Sequence, residues 1–482
     1  MKEFVTDRRE PQLSSWRNRM IAALAVWSVG FYAHAADWSQ SIGVSTSAVY
    51  TDNKNLSESQ EDGEISLVLS PNIAIKGEGA RANLDVAGSL QLDSRGKGSD
   101  STNPRLRANA DAELIKNTFF VDLDSTITQN AIDPYSTVGS DALNDTGNVT
   151  TTYTYGISPY IVGRLKGYAN LIARFTYDEV EYSKNSLDGS NRKGLNLGVN
   201  SGTNFGRFSW GILASQNEIE YDNNNTAEFR SADVNVGYQI NRSWQVNASL
   251  GKEWNDFSTI QTDFEGDRWN LGFTWTPSPR TSLGLRYGDR FFGQTTSFEF
   301  SHKSKRSVLT AQYSQDLTNS RSLRGQDIFP STDPFGDDID LFTDETLPVD
   351  TLASINDSTI VDKRFDATYT LKGRRTNLTL RAHHSQQTHQ DSTRDVEQSS
   401  VGVSALRNIT GQILANASLS FGTQSQNGGS DADTIKLGLG LFRKLGQNSS
   451  VGLNYGFNDR DSDVAGSSYT ENRVTASFAA NF

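Results

Sequence analysis

The sequence predicts an all-β fold: a transmembrane antiparallel up-and-down β-barrel of about 22 strands, in a range of roughly 18–24, with short periplasmic turns and long extracellular loops. Three observations carry this. The last nine residues place Val474, Ala476, Phe478, Ala480 and the terminal Phe482 on one parity, and Thr475, Ser477 and Asn481 on the other. Successive strand side chains face opposite sides, so one face suits lipid and the other water. Segments of about ten residues with the same alternation recur from Trp38 to Phe482, the length a tilted strand needs to span a bilayer. The links between them alternate between short and long, as when hairpins turn tightly on one side of a membrane and loop freely on the other.

Taken in order, the chain opens with a secretory signal over residues 1–35. Lys2, Arg8, Arg9, Arg17 and Arg19 form a basic stretch, Met20 to Tyr32 is a 13-residue largely apolar run, and Ala33-His34-Ala35 gives a small-x-small cleavage site. Thirteen residues of helix are too few to cross a hydrocarbon core of about 30 Å. Arg8-Arg9 is not followed by a convincing twin-arginine motif, which favours the general secretory route. Residues 36–482 then form one barrel domain. Removing the signal takes away five basic and three acidic groups, so the formal charge of −12 becomes −14. Nucleic-acid binding is disfavoured, because it shows as a basic stripe. The chain has no cysteine, so an exported protein of this length must rely on burial and on pairing every strand edge. A mean hydropathy of −0.54 fits a barrel, in which only alternate strand residues meet lipid.

The short links are 76–80, 115–117, 203–205, 241–242, 277–279, 303–305, 372–375, 407–410 and 445–448, rich in the Gly, Asn, Pro and Lys of tight turns. The long ones are 51–63, 94–104, 130–148, 179–193, 218–229, 255–266, 316–360, 386–398, 424–431 and 458–470. Residues 291–295 make an unusually short outer loop. Lipid-facing sets between these links include Ile65, Leu67 and Leu69; Leu84, Val86, Leu90 and Leu92; Phe208, Trp210, Ile212 and Ala214; and Ile435, Leu437, Leu439 and Leu441. Aromatics cluster near strand ends, among them Tyr153, Tyr155, Trp244, Trp269, Trp275, Phe298 and Phe300, as expected of belts at the two interfaces.

The opposite parity faces the interior. It gives lumen-lining candidates Arg81, Asp85, Arg105, Arg107, Asp111, Glu113, Asp122, Asp124, Arg174, Arg286, Arg290, Arg364, Asp366 and Lys436. Two readings stand side by side: cross-strand pairs that solvate the wall, or charged ladders lining a water-filled conduit, since about 22 strands enclose more space than side chains fill. Strand patterning begins at about Trp38, which disfavours transporters with a globular plug before the first strand. The acidic segment 316–360, with Asp327, Asp333, Asp337, Asp338, Asp340, Asp344, Glu345 and Asp350, can fold inward as a constriction or lie outside as a lid. Its spacing matches no EF-hand loop, and neither a metal nor a cofactor is expected.

Four histidines follow the signal: His302, His383, His384 and His389. A surface hydrolase would need His383 or His384 beside Ser385 and a carboxylate such as Asp391. Adjacent strand residues face opposite sides, so at most one of the pair enters any one site. No phosphate loop, nucleophile elbow or paired metal-ligand motif sits where the strand pattern supports it, and an enzyme is not expected.

The closing strand, Val474, Ala476, Phe478, Ala480 and Phe482, resembles the C-terminal signal by which the bacterial barrel-assembly machinery recognises its clients. Leu67-Val68-Leu69-Ser70-Pro71-Asn72-Ile73-Ala74-Ile75-Lys76-Gly77-Glu78-Gly79, with Asn83-Leu84-Asp85-Val86, resembles the N-terminal hairpin of the PEP-CTERM/exosortase system-associated outer-membrane β-barrel family, a porin-like group. Asn117-Thr118-Phe119-Phe120-Val121-Asp122-Leu123-Asp124 is similar to that family's next hairpin. The resemblance spans most of the chain in layout and brings no catalytic residue. It implies a Gram-negative outer-membrane channel that passes or helps export a polar solute such as exopolysaccharide, with outer-membrane lipid, the assembly machinery and periplasmic export components as partners. A non-conducting structural or adhesive barrel, binding through its extracellular loops, is the competing expectation.

Overall fold

A strand in lipid has no water to satisfy its backbone, so strands that cross a bilayer must close on themselves. The computed structural model describes residues 37–59, 62–95, 100–139, 143–144, 146–260, 264–326, 354–427 and 430–482. The expected signal, residues 1–35, lies outside them. In chain order the strands are β1 Asp37–Thr51, β2 Glu64–Glu78, β3 Ala82–Arg95, β4 Ser101–Ile115, β5 Phe119–Ala131, β6 Val149–Leu165, β7 Ala169–Tyr182, β8 Ser190–Ser201, β9 Phe208–Tyr221, β10 Thr226–Gln239 and β11 Trp244–Asp256. They continue as β12 Gly266–Ser278, β13 Thr281–Arg290, β14 Gly293–Lys303, β15 Ser307–Asn319, β16 Thr359–Lys372, β17 Thr376–His389, β18 Asp395–Asn408, β19 Ile413–Gln426, β20 Ser430–Lys444, β21 Ser449–Ser462 and β22 Tyr469–Asn481. Sequential neighbours pair antiparallel throughout one 22-stranded sheet. Pairing of β1 with β22, from Gly43↔Asn481 to Thr51↔Arg473, closes it into a barrel.

The expected parity holds around the wall. Ile65, Leu67, Leu250, Leu271 and Val401 are each 60% exposed or more, a state that water would penalise and lipid rewards. Trp244 stacks on Trp275 at 5.8 Å, and Trp269 meets Tyr287 edge-on at 5.9 Å, toward opposite ends of their strands. Such amphipathic rings suit the two interfaces.

The strands run 10 to 17 residues, longer than a bilayer alone requires. Parts of the expected loops 94–104, 179–193 and 218–229 are therefore strand: β3 ends at Arg95, β7 at Tyr182 and β9 at Tyr221. The hairpins continue past the membrane, where both faces meet polar surroundings and alternation disappears while the backbone ladder persists. The insertion expected at 316–360 is likewise shorter. β15 reaches Asn319, a short helix α1 (Ser320–Gln326) follows, and β16 starts at Thr359. The acidic residues at 327–350 lie outside the described residues. One tight turn carried no recognisable dipeptide: Lys166 (φ 39°) and Gly167 (φ 83°) are consecutively left-handed, the signature of a type I′ hairpin.

Candidate functional site

The lumen holds most of the charges that parity assigned to it. Arg174 meets Asp122 at 2.7 Å and lies over the Tyr160 ring at 3.9 Å, which in turn stacks on Phe120 at 5.0 Å. Arg364 and His383 both reach Asp366, at 2.6 and 2.8 Å, and Arg286 meets Glu299 at 3.5 Å. Asn83 donates to Asp111 at 3.1 Å, and Glu113 accepts from the Asn117 amide in the periplasmic turn. Asp85, Asp124 and Lys436 sit on inward positions of β3, β5 and β20. Arg105 and Arg107 face inward on β4 and make no ion pair among the described residues. Arg81 is the exception: it lies in the turn before β3, exposed at the periplasmic rim. Alternation had been carried one residue beyond the strand.

The densest network lies on β7 to β15 in the outer half. Glu253, 3% exposed, receives Arg290 twice at 2.7 and 2.8 Å and Arg268 at 3.2 Å. Arg268 also binds Asp233 at 2.6 Å, and Arg290 approaches Asp316 at 3.5 Å. On the next strands Arg192 meets Asp178 at 2.6 Å. These pairs reach across strands, as the sequence allowed.

Two segments then fold inward over this wall. The first, the described part of the link between β5 and β6 (132–139, 143–144 and 146–148), is cinched at its base by Asn148, whose side chain donates to Asp133 O at 2.7 Å and Thr137 O at 3.1 Å. It reaches around the interior to the closing seam. Arg460 donates to Tyr135 O at 2.9 Å, and Tyr469 Oη to Val138 O at 2.8 Å. Leu143 buries itself against Val49 and Val68. Asn144 accepts from Arg473 at 2.8 Å and donates to Glu471 at 3.0 Å, and Thr51 also donates to Glu471 at 2.8 Å. Burial raises the Tyr135 phenol above its ordinary pKa, although Arg394 stands 5.1 Å over its ring.

The second segment begins with α1. Arg321 spans the lumen to Asp178 at 2.5 Å and Ser190 at 2.9 Å, and Leu323 packs on Ile360. At its far end Asp357 accepts from Asn223 at 3.1 Å and Asn225 at 2.5 Å. The two segments meet where Ile355 N donates to Ile132 O and Ser354 Oγ to Asp133 Oδ1, both at 2.9 Å. The outer mouth is thus bridged by contacts between loops and opposite walls. Beneath α1 they leave a cavity of about 220 Å³ beside Glu253.

A family model described as "Putative beta-barrel porin 2" matches residues 371–482. No curated protein matches the chain. Among solved structures it is similar to the ferric enterobactin receptor PfeA of Pseudomonas aeruginosa in complex with enterobactin: 10% identity, TM-score 0.52, covering 93% of this chain and 82% of that one. The FrpB iron transporter of Neisseria meningitidis is similar at 9% identity, TM-score 0.51, with 92% and 83% covered. The siderophore receptor PirA of Acinetobacter baumannii is similar at 8% identity, TM-score 0.51, with 92% and 80% covered. At such identities the likeness is one of fold. The protein is a 22-stranded β-barrel of the Gram-negative outer-membrane type, porin-like over the matched residues 371–482.

In this porin-like barrel the histidine constellation does not assemble. His383 faces Asp366 inside the lumen while His384 bonds Ser399 at 2.9 Å on the other face. Ser385 donates to Asp362 at 2.7 Å, and Asp391 accepts from Ser358 at 2.7 Å. Sequence reasoning did not find Asn144, Glu471, Arg473, Arg321, Glu253 or Arg268. Glu253, Arg268, Glu471 and Arg473 lie on inward strand positions that the same parity reaches when it is extended, whereas nothing local marks Asn144 or Arg321 as the residues that will meet the wall.

Proposed function

We propose that this barrel is a gated conduit for a polar solute, and, at the finer level, that it serves export of an exopolysaccharide. The observation that carries the reading is the pair of inward segments joined at Ile132 and Ile355 across a lumen lined with ion pairs. A barrel meant only as a scaffold needs neither a polar lumen nor a latch inside it. A transport role, rather than an enzymatic one, is favoured by the separate engagement of His383, Ser385 and Asp391. In this reading the chain reaches the membrane through a signal at 1–35 and the assembly signal ending at Phe482, and takes polymer from periplasmic export partners.

Refolded mature chain in planar bilayers tests it. Cysteines at Ile132 and Ile355 allow the two segments to be locked by a short bifunctional cross-linker. Discrete open steps before cross-linking, abolished by it and restored on cleaving the linker, are expected. No steps in either state, with the barrel shown folded, would move the assignment to an adhesive or structural barrel.

A further inference from the structure

We propose that the cavity beneath α1 is a binding site for one neutral hexopyranose unit. The proposal deepens the conduit reading and rests on it for its biological sense, while the site itself is defined by geometry. Pockets for drug-sized ligands run to about 300–1,000 Å³; at about 220 Å³ this one takes a smaller guest.

The lining is divided. Phe229, Ile219 and Leu317 make one apolar side, and the Phe229 ring is backed by Phe257 at 5.6 Å. The other side presents polar groups already withdrawn from bulk water: Glu253 is 3% exposed, Asn319 5% and Asn255 7%. Ser215 and Ser231, bonded to each other at 2.8 Å, add hydroxyls that both donate and accept. An apolar ring face against Phe229 and an equatorial rim of hydroxyls against Asn, Ser, Glu and Arg is what a pyranose offers.

Charge decides between a neutral sugar and an anion. Several arginines line the cavity, yet each is held by carboxylate: Arg268 by Asp233 and Glu253, Arg290 by Glu253 and Asp316, Arg192 by Asp178, Arg230 by Glu228. These four arginines are matched by five carboxylates, Asp178, Glu228, Asp233, Glu253 and Asp316, so an anionic guest would meet no excess positive charge. A neutral polyol can bond to the unused donors and acceptors of the same groups.

The experiment is saturation-transfer NMR on the folded full-length mature chain in detergent, with D-glucose as probe and D-glucuronate as competitor. Ser231→Leu fills the cavity, Phe229→Ala removes its apolar platform, and resistance to heat unfolding on gels reports the fold. Expected are saturation of the glucose ring protons in wild type, a fall of about tenfold in folded Ser231→Leu and about threefold in Phe229→Ala, and no displacement by equimolar glucuronate. If Ser231→Leu does not fold, Phe229→Ala and Ser215→Ala decide. The same signal in wild type and every folded variant, no signal in wild type, or displacement by glucuronate overturns the proposal. Binding with silent bilayers would sink the conduit alone, and open steps without glucose binding would sink the site alone.

Discussion

The membrane-spanning wall and the cap over its outer mouth are built by different physics. In the wall each strand repeats the same two-residue choice, and the backbone ladder links every neighbour regardless of side-chain identity. In the cap, single residues meet partners 132 to 329 positions away: Asn144 with Glu471 and Arg473, Arg321 with Asp178, Asp357 with Asn223 and Asn225. Many interchangeable contacts make a unit that opens only globally, whereas a few specific ones permit local opening at low cost. The proposed conduit would need both: a wall that stays shut to lipid and a mouth that can yield.

The sharpest way to break this contrast is to place the same charge on the two faces of one strand. Leu419 on β19 points to lipid and is 48% exposed, while its neighbour Ser418 points to the lumen. Leu419→Arg should lower stability by about 2–4 kcal/mol near the bilayer midplane, and Ser418→Arg by about 1 kcal/mol or less. Equilibrium unfolding in urea from lipid vesicles measures both. Equal losses would mean that the outward parity is not a lipid face.

The wall was legible because the hydrophobic period repeats: strong segments such as 65–69 and 474–482 announce themselves, while weaker ones left the count at about 22 in a range of roughly 18–24. Strand ends were less so, since alternation stops at the headgroups while hydrogen bonding continues to Tyr182 or Tyr221. The lumen face came with the period, and Glu299 or Arg268 could have been added by extending it. The cap was legible only as an alternative, the inward folding offered for 316–360, and its β5–β6 half was not legible. Residues 132–148 read as an ordinary polar loop; only the third dimension brings Leu143 to Val49 and Val68. Sequence attention fell instead on 316–360, whose described ends do turn inward through Arg321 and Ile355.

Cap variants sharpen the comparison, because they should leave the wall untouched. Asn144→Ala removes two buried hydrogen bonds that tie the loop to Glu471 and Arg473, which keep each other at 2.8 Å; the loss should be about 1–3 kcal/mol of docking. Hydrogen exchange over 132–148 should accelerate by roughly tenfold or more, with β19 to β21 unchanged. Arg321→Met should do the same for α1 by about 1 kcal/mol, less because Asp178 keeps Arg192 at 2.6 Å. Acceleration spreading through the wall strands would show that cap and wall unfold together.

The smallest expected effect is a pH dependence confined to one anchor. Burial of Asp357 works against its charge, but the amides of Asn225 and Asn223 outweigh that and hold its pKa below the ordinary 3.8. A carboxylate with a depressed folded pKa contributes stability that is complete above the unfolded pKa and is lost as pH falls through the folded one. The contact between 354–358 and the β9–β10 turn should therefore stay intact from neutrality down to about pH 4 and loosen only below it. Removing both amides, Asn223→Ala with Asn225→Ala, takes away the two largest causes that lower the pKa, so the acid-dependent part of the loosening should shrink markedly. Hydrogen exchange of Asp357 and Ser358 at stepped pH, corrected for intrinsic rates, reads this directly. The same acid sensitivity in the doubly substituted protein would place the pH-responsive group elsewhere in the cap.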